Sequence, residues 1–107
     1  MKKLFLMLTL LPALVNASGI TSVGKIAHIY VNNGWTMVHL TDVSTNPDSC
    51  ESASYYAIKP SDANYSSLHA TLLAAQVAGK RVKFWVNGCS GQGNKHPKIV
   101  SVFMYSD

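Results

Sequence analysis

The chain has 107 residues, a formal net charge of +4, 48% hydrophobic and 13% charged residues, and two cysteines. That length allows one small core and leaves no room for two. Once Lys2 and Lys3 are discounted with the leader described next, seven basic residues face five acidic ones, and a net +2 gives no reason to expect nucleic acid or an anionic membrane as partner.

The first residues, Met1-Lys2-Lys3, are followed by an apolar run over 4–15 that only Thr9 and Pro12 interrupt. Val15-Asn16-Ala17 then puts small or apolar residues where a signal peptidase reads, so residues 1–17 read as a signal peptide. The run is too short to cross about 30 Å of hydrocarbon, and no later stretch of the chain could span a membrane. Ser18 and not a cysteine stands directly after the cleavage point, which argues against a lipid anchor. Residues 18–107 are then a single secreted or periplasmic domain. Both cysteines, Cys50 and Cys89, lie in it, and in an exported domain they are expected to form one disulfide. Closing that loop is worth about 4 kcal/mol on a chain-entropy argument.

Residues 23–31 and 35–43 are rich in β-branched and aromatic types and flank Asn33-Gly34, a type I′ hairpin signal. With Asn33-Gly34 as a two-residue loop, Asn32 faces Trp35, Tyr30 faces Met37 and His28 faces His39. On the other side Ile29 meets Val38, Ala27 meets Leu40 and Lys25 meets Asp42. The second set is small and aliphatic, ends in an ion pair, and is the better core face. The first set, with Ile26, forms a mixed aromatic surface suited to a partner. A three-residue loop would shift every pair by one.

Residues 44–54 form a polar loop with an Asn46-Pro47-Asp48 turn, and 55–59 a short strand stopped by Pro60. A helix follows N-cap candidates at 61–64 and runs to about Ala78. Tyr65, Leu68, Leu72 and Ala75 make its stripe, Gly79 ends it, and Lys80-Arg81 sit at the negative end of its dipole. Val82, Phe84 and Val86 alternate with Arg81, Lys83 and Trp85 as a half-buried strand. Residues 87–97 read as a glycine-rich loop, and 98–105 as a last strand apolar on both faces. The order strand, strand, strand, helix, strand, strand predicts a mainly β domain with one helix, an OB-fold-like five-stranded Greek-key barrel. An open antiparallel sheet with the helix across one face is the alternative.

Asn46-Pro47-x-x-Cys50, Tyr55-Tyr56-Ala57-Ile58 and the run from Leu72-Leu73-Ala74-Ala75 through Gly79-Lys80-Arg81-Val82-Lys83-Phe84-Trp85-Val86 to Gly88-Cys89 resemble a family of small exported proteins from gammaproteobacteria. The element order, with its export signal, is similar to the B subunits of AB5 toxins, above all that of subtilase cytotoxin. That resemblance implies a ring of subunits that binds cell-surface glycans and carries a catalytic partner. The toxin subunit bridges its second and third strands, whereas Cys50 and Cys89 would tie two loops. No sugar-binding residue is carried over.

The chemistry on offer points to binding rather than catalysis. His28 and His39, if paired, could share a metal ion, but Glu51, His69 and His96 supply no third ligand at motif spacing, so no metal and no cofactor is expected. No nucleophile elbow or acid–base pair occurs, and the carboxylates are scattered. Gly88, Gly91 and Gly93 precede a strand and not a helix, unlike a phosphate loop. Candidate partner-binding residues are Tyr30, Trp35, His28 and His39 on the hairpin, and Lys83 and Trp85, which combine stacking with charge. Export disfavours nucleic acid. The expectation is a non-enzymatic exported module for a glycan or protein partner, in ring form if oligomeric. The alternative is a monomeric periplasmic or envelope protein with a structural or inhibitory role.

Overall fold

A computed structural model describes residues 18–106, so the expected signal peptide lies outside the described residues. The domain is mainly β: β1 (Gly19–Ile20), β2 (Gly24–Asn32), β3 (Trp35–Leu40), β4 (Tyr56–Ile58), the helix α1 (Tyr65–Ala78), β5 (Arg81–Ser90) and β6 (His96–Met104). Among the described residues there are one α-helix, a 3-10 turn at Gln92–Asn94 and a six-stranded sheet ordered β1-β5-β2-β3-β4-β6 with an additional β5–β6 pairing. The expected order of five strands is corrected by the addition of β1. Two residues suffice for that strand because the chain beyond it is tied down. Thr21 N donates to Phe84 O at 2.8 Å, and Phe84 N donates to Thr21 Oγ1 at 3.0 Å. The pairings are antiparallel except at one point, where Ala57 of β4 meets Lys98 of β6 in parallel.

Asn33 and Gly34 take positive φ of 52° and 84°, as a type I′ turn requires, and the predicted register follows from Asn32↔Trp35 to His28↔His39. It fails one step further on. A bulge between Ile26 and His28 makes Ile26 the partner of Leu40, so Ala27 is extruded to solvent and Ile26 packs on the core. The expected Lys25–Asp42 pairing is lost with it. Lys25 pairs with Arg81 of β5, and its carbonyl takes the Thr41 N–H. The swap puts the larger aliphatic side chain inside, which favours the bulge.

Val38, Leu40, Tyr56, Ile58, Leu72, Val82, Phe84, Val86 and Ile99 form the core, and α1 closes it with Leu68, Leu72 and Ala75, packing against β2 and β6. The helix starts without a side-chain cap and ends at Gly79 in the left-handed region, where Gly79 N donates to Gln76 O and Lys80 N to Ala75 O. Thr36, fully buried on β3, ties the helix to the sheet. Its Oγ1 lies 3.1 Å from Tyr65 Oη and 2.9 Å from His69 Nδ1. Cys50 and Cys89 form a disulfide with Cα atoms 5.8 Å apart. Cys89 is not in a loop, as expected, but in β5, which a register shift between Val86 and Cys89 extends to Ser90. Among the described residues no helix is long and apolar enough to cross a membrane.

Candidate functional site

The hairpin places His28 and Tyr30 of β2 beside His39 of β3 on its outer surface, because side chains two apart share a face. The ring at the centre of this surface comes from elsewhere. Tyr55, the residue before β4, lies across it with ring centroids 5.5 Å from His28, 5.2 Å from Tyr30, 5.9 Å from His39 and 6.0 Å from His96, all edge-on. His28 and His39 stack at 5.4 Å and 28°. Five rings on three strands and one loop thus form a single half-exposed platform. Edge-to-face pairs of this kind add about 0.5–1.5 kcal/mol each beyond their buried area.

Hydrogen bonds orient two of the imidazoles. His28 Nε2 is 3.0 Å from the Tyr55 hydroxyl. His39 Nδ1 donates to Ser54 O at 2.8 Å, which leaves its Nε2 as the acceptor in the neutral ring. The segment 51–55 is held down further by Ser52 N donating to Lys95 O, and by an exposed Glu51–Lys95 pair at 3.8 Å. His96, whose Nδ1 is buried without a protein partner, has its pKa lowered, first by burial and then by the Lys95 charge, with Glu51 opposing. Tyr56, next in sequence, turns inward. Burial pushes its phenol up to about 12, partly offset by its hydrogen bond to Thr45 O.

Beside the platform lies an open groove of about 610 Å³, walled by Leu40, Val43 and Ala53 and edged by His39, Asp42, Ser44 and Ser54. His39 belongs to both. No family model, curated protein or solved structure matches the chain.

Of the residues singled out from sequence, His28, Tyr30 and His39 come together. Trp35 stands at the hairpin tip opposite Asn32 and makes no ring contact with the platform. Met37, expected on the same outer surface, is fully buried instead. Gly91 in the β5–β6 connection lies over it, so close that an added Cβ would meet Met37 Cε at 3.1 Å, His96 Cδ2 at 3.1 Å and Ala57 Cβ at 3.0 Å. Lys83 and Trp85 share a different surface, on β5, and no described contact links them to the platform. Among the described residues no group of three or more His, Cys, Asp or Glu could hold a metal ion. Sequence reasoning missed Tyr55 and placed His96 only as a stray histidine. The signal for Tyr55 was the doublet Tyr55-Tyr56 at a strand entrance, where one ring must turn out when the other turns in.

Proposed function

We propose that the mature chain is an exported, non-enzymatic binding module with an OB-like barrel, and that it holds a glycan or protein partner on the platform around Tyr55. The observation that carries the site is the juxtaposition of that platform with the groove at His39: ring edges, a fixed imidazole acceptor, Asp42 and two serines surround an apolar floor. Partners that combine hydroxyl or amide groups with apolar faces match such a lining. For the barrel, support comes from the pairing circuit β5-β2-β3-β4-β6-β5, in which every one of the five longer strands has two neighbours. For export, the disulfide and the leader-like sequence speak together.

A glycan array probed with the oxidised protein tests the reading. Binding that is lost in Tyr55→Ala and in Asp42→Asn, and kept in Trp85→Ala, supports it. An array without hits, followed by no partner cross-linked through the platform in periplasmic extract, overturns it. Self-association is a further part of the proposal, motivated by the outward side of α1, where Leu73 and Val77 are exposed. Light scattering at high concentration decides it, and a clean monomer refutes the ring.

A further inference from the structure

The outer surface of β1, β5 and β6 is built from similar residue types on a different plan. Alternation along β5 sends Val82, Phe84 and Val86 inward and Arg81, Lys83 and Trp85 outward. Register then sets Ile20 of β1 beside Trp85, Phe103 of β6 beside Lys83, and Tyr105 beside Arg81. Ile20, Trp85 and Phe103 stay 42%, 38% and 43% exposed. Lys83 Nζ lies over the Phe103 ring at 5.4 Å and Arg81 Cζ over the Tyr105 ring at 5.0 Å. The three strands contain no Asp or Glu.

Two features select the occupant. A sugar stacks on the open face of a ring, and here two of the three aromatic rings already carry a cation on that face. A peptide strand cannot add to β5, because β1, β2 and β6 occupy both of its edges. What the surface does offer is an apolar layer with cations held at its own level. This is the arrangement that a headgroup boundary accepts: Trp and Tyr rings lie between headgroup and acyl chain, while Lys and Arg stems run along apolar surface and present their charge to phosphate. The mature chain is only slightly basic as a whole, yet the three strands of this face carry basic residues and no acidic one.

We propose that the β1–β5–β6 face docks reversibly on an anionic bilayer surface, with Ile20, Trp85 and Phe103 entering the headgroup layer and Lys83 meeting lipid phosphate. It stands apart from the platform reading, and each can fail without the other. Adhesion through so few side chains is shallow and salt-sensitive.

The test uses the oxidised protein with unilamellar vesicles of phosphatidylcholine alone or with 30 mol% phosphatidylglycerol, read by co-flotation. Tryptophan emission in a Trp35→Phe background reports on Trp85. Binding is expected only with phosphatidylglycerol, with a blue shift of emission, a loss of at least about tenfold in Lys83→Glu, and release in 0.5 M salt. Tyr55→Ala should bind as the parent does. Equal binding to both vesicles, no binding to either, or binding unmoved by Lys83→Glu overturns the proposal. So does a Trp85→Ala variant that keeps full vesicle binding but loses a hit on the glycan array. Retained disulfide and near-ultraviolet dichroism show that each variant is folded.

Discussion

The platform around Tyr55 and the outer face of β5 and β6 draw on the same vocabulary, aromatic rings and basic side chains, and assemble it oppositely. On the platform the rings touch one another, and the basic groups are themselves imidazole rings. On the β5–β6 face Arg81 and Lys83 each lie over a ring of their own. The first arrangement depends on parts brought from distant segments: a hairpin, the stretch after Cys50, and the start of β6. The second follows from two adjacent strands and their alternation. A surface that rests mainly on two paired strands should withstand local loosening better than one knit from three separate segments.

The largest expected effect severs the link between the two regions. Cys50 stands five residues before Tyr55, and Cys89 lies in β5, so the disulfide pins the platform's central ring to the other sheet region. Replacing both cysteines with alanine should lower stability by about 3–4 kcal/mol, read as the denaturant midpoint under oxidising conditions. Hydrogen exchange should speed up over 51–58 well before it does over 81–86. Uniform acceleration across both would mean that the platform has no separate dependence on the bridge.

A smaller effect isolates the platform's floor. Gly91 combines a φ of 78° with backbone packed against Met37, Ala57 and His96. Gly88 has nearly the same φ, 79°, but nothing within 4 Å of an added Cβ. Gly88→Ala should therefore cost only the left-handed strain, about 1 kcal/mol. Gly91→Ala should cost about 2–3 kcal/mol, because crowding is added to strain. Thermal midpoints of the two variants measure the difference. Equal losses would show that the contact over Met37 is soft, and that the loop does not clamp the floor.

These contrasts also explain what could be read from the sequence. The hairpin was legible because Asn33-Gly34 fixes the turn and period two does the rest; His28 and His39 were paired correctly by counting alone. The count broke at Ala27, where nothing local announces a bulge, and tertiary packing decides between Ala27 and Ile26 for the inside. Met37 was misread for a related reason. A strand's alternation says which side a residue faces, but not that a distant glycine connection will cover that side. Lys83 and Trp85 were legible as one face since they lie on one strand; the cation over Phe103 needed the β5–β6 register. β1 escaped notice because two residues carry no periodicity. The platform was half legible: its hairpin half is local, while Tyr55 and His96 arrive through the fold.

The smallest effect sharpens the difference in charge. His96 begins β6 against the platform, and burial together with Lys95 lowers its pKa from 6.5. Above that value the ring is neutral in the folded and unfolded chains alike, and it adds nothing to the pH dependence. As pH falls through 6.5 the unfolded chain takes a proton that the folded chain still refuses, so stability declines until the lowered pKa of the folded state is reached and then levels off. His96→Gln should flatten that decline between pH 7 and 5, as followed by denaturant midpoints at each pH. Any slope that remains belongs to other groups. Vesicle binding by the β5–β6 face should not change over the same interval, because the side chains proposed to meet the bilayer, Ile20, Lys83, Trp85 and Phe103, include no histidine. A parent protein that gains stability on acidification, or a His96→Gln variant with the parent's slope, would remove His96 from this role.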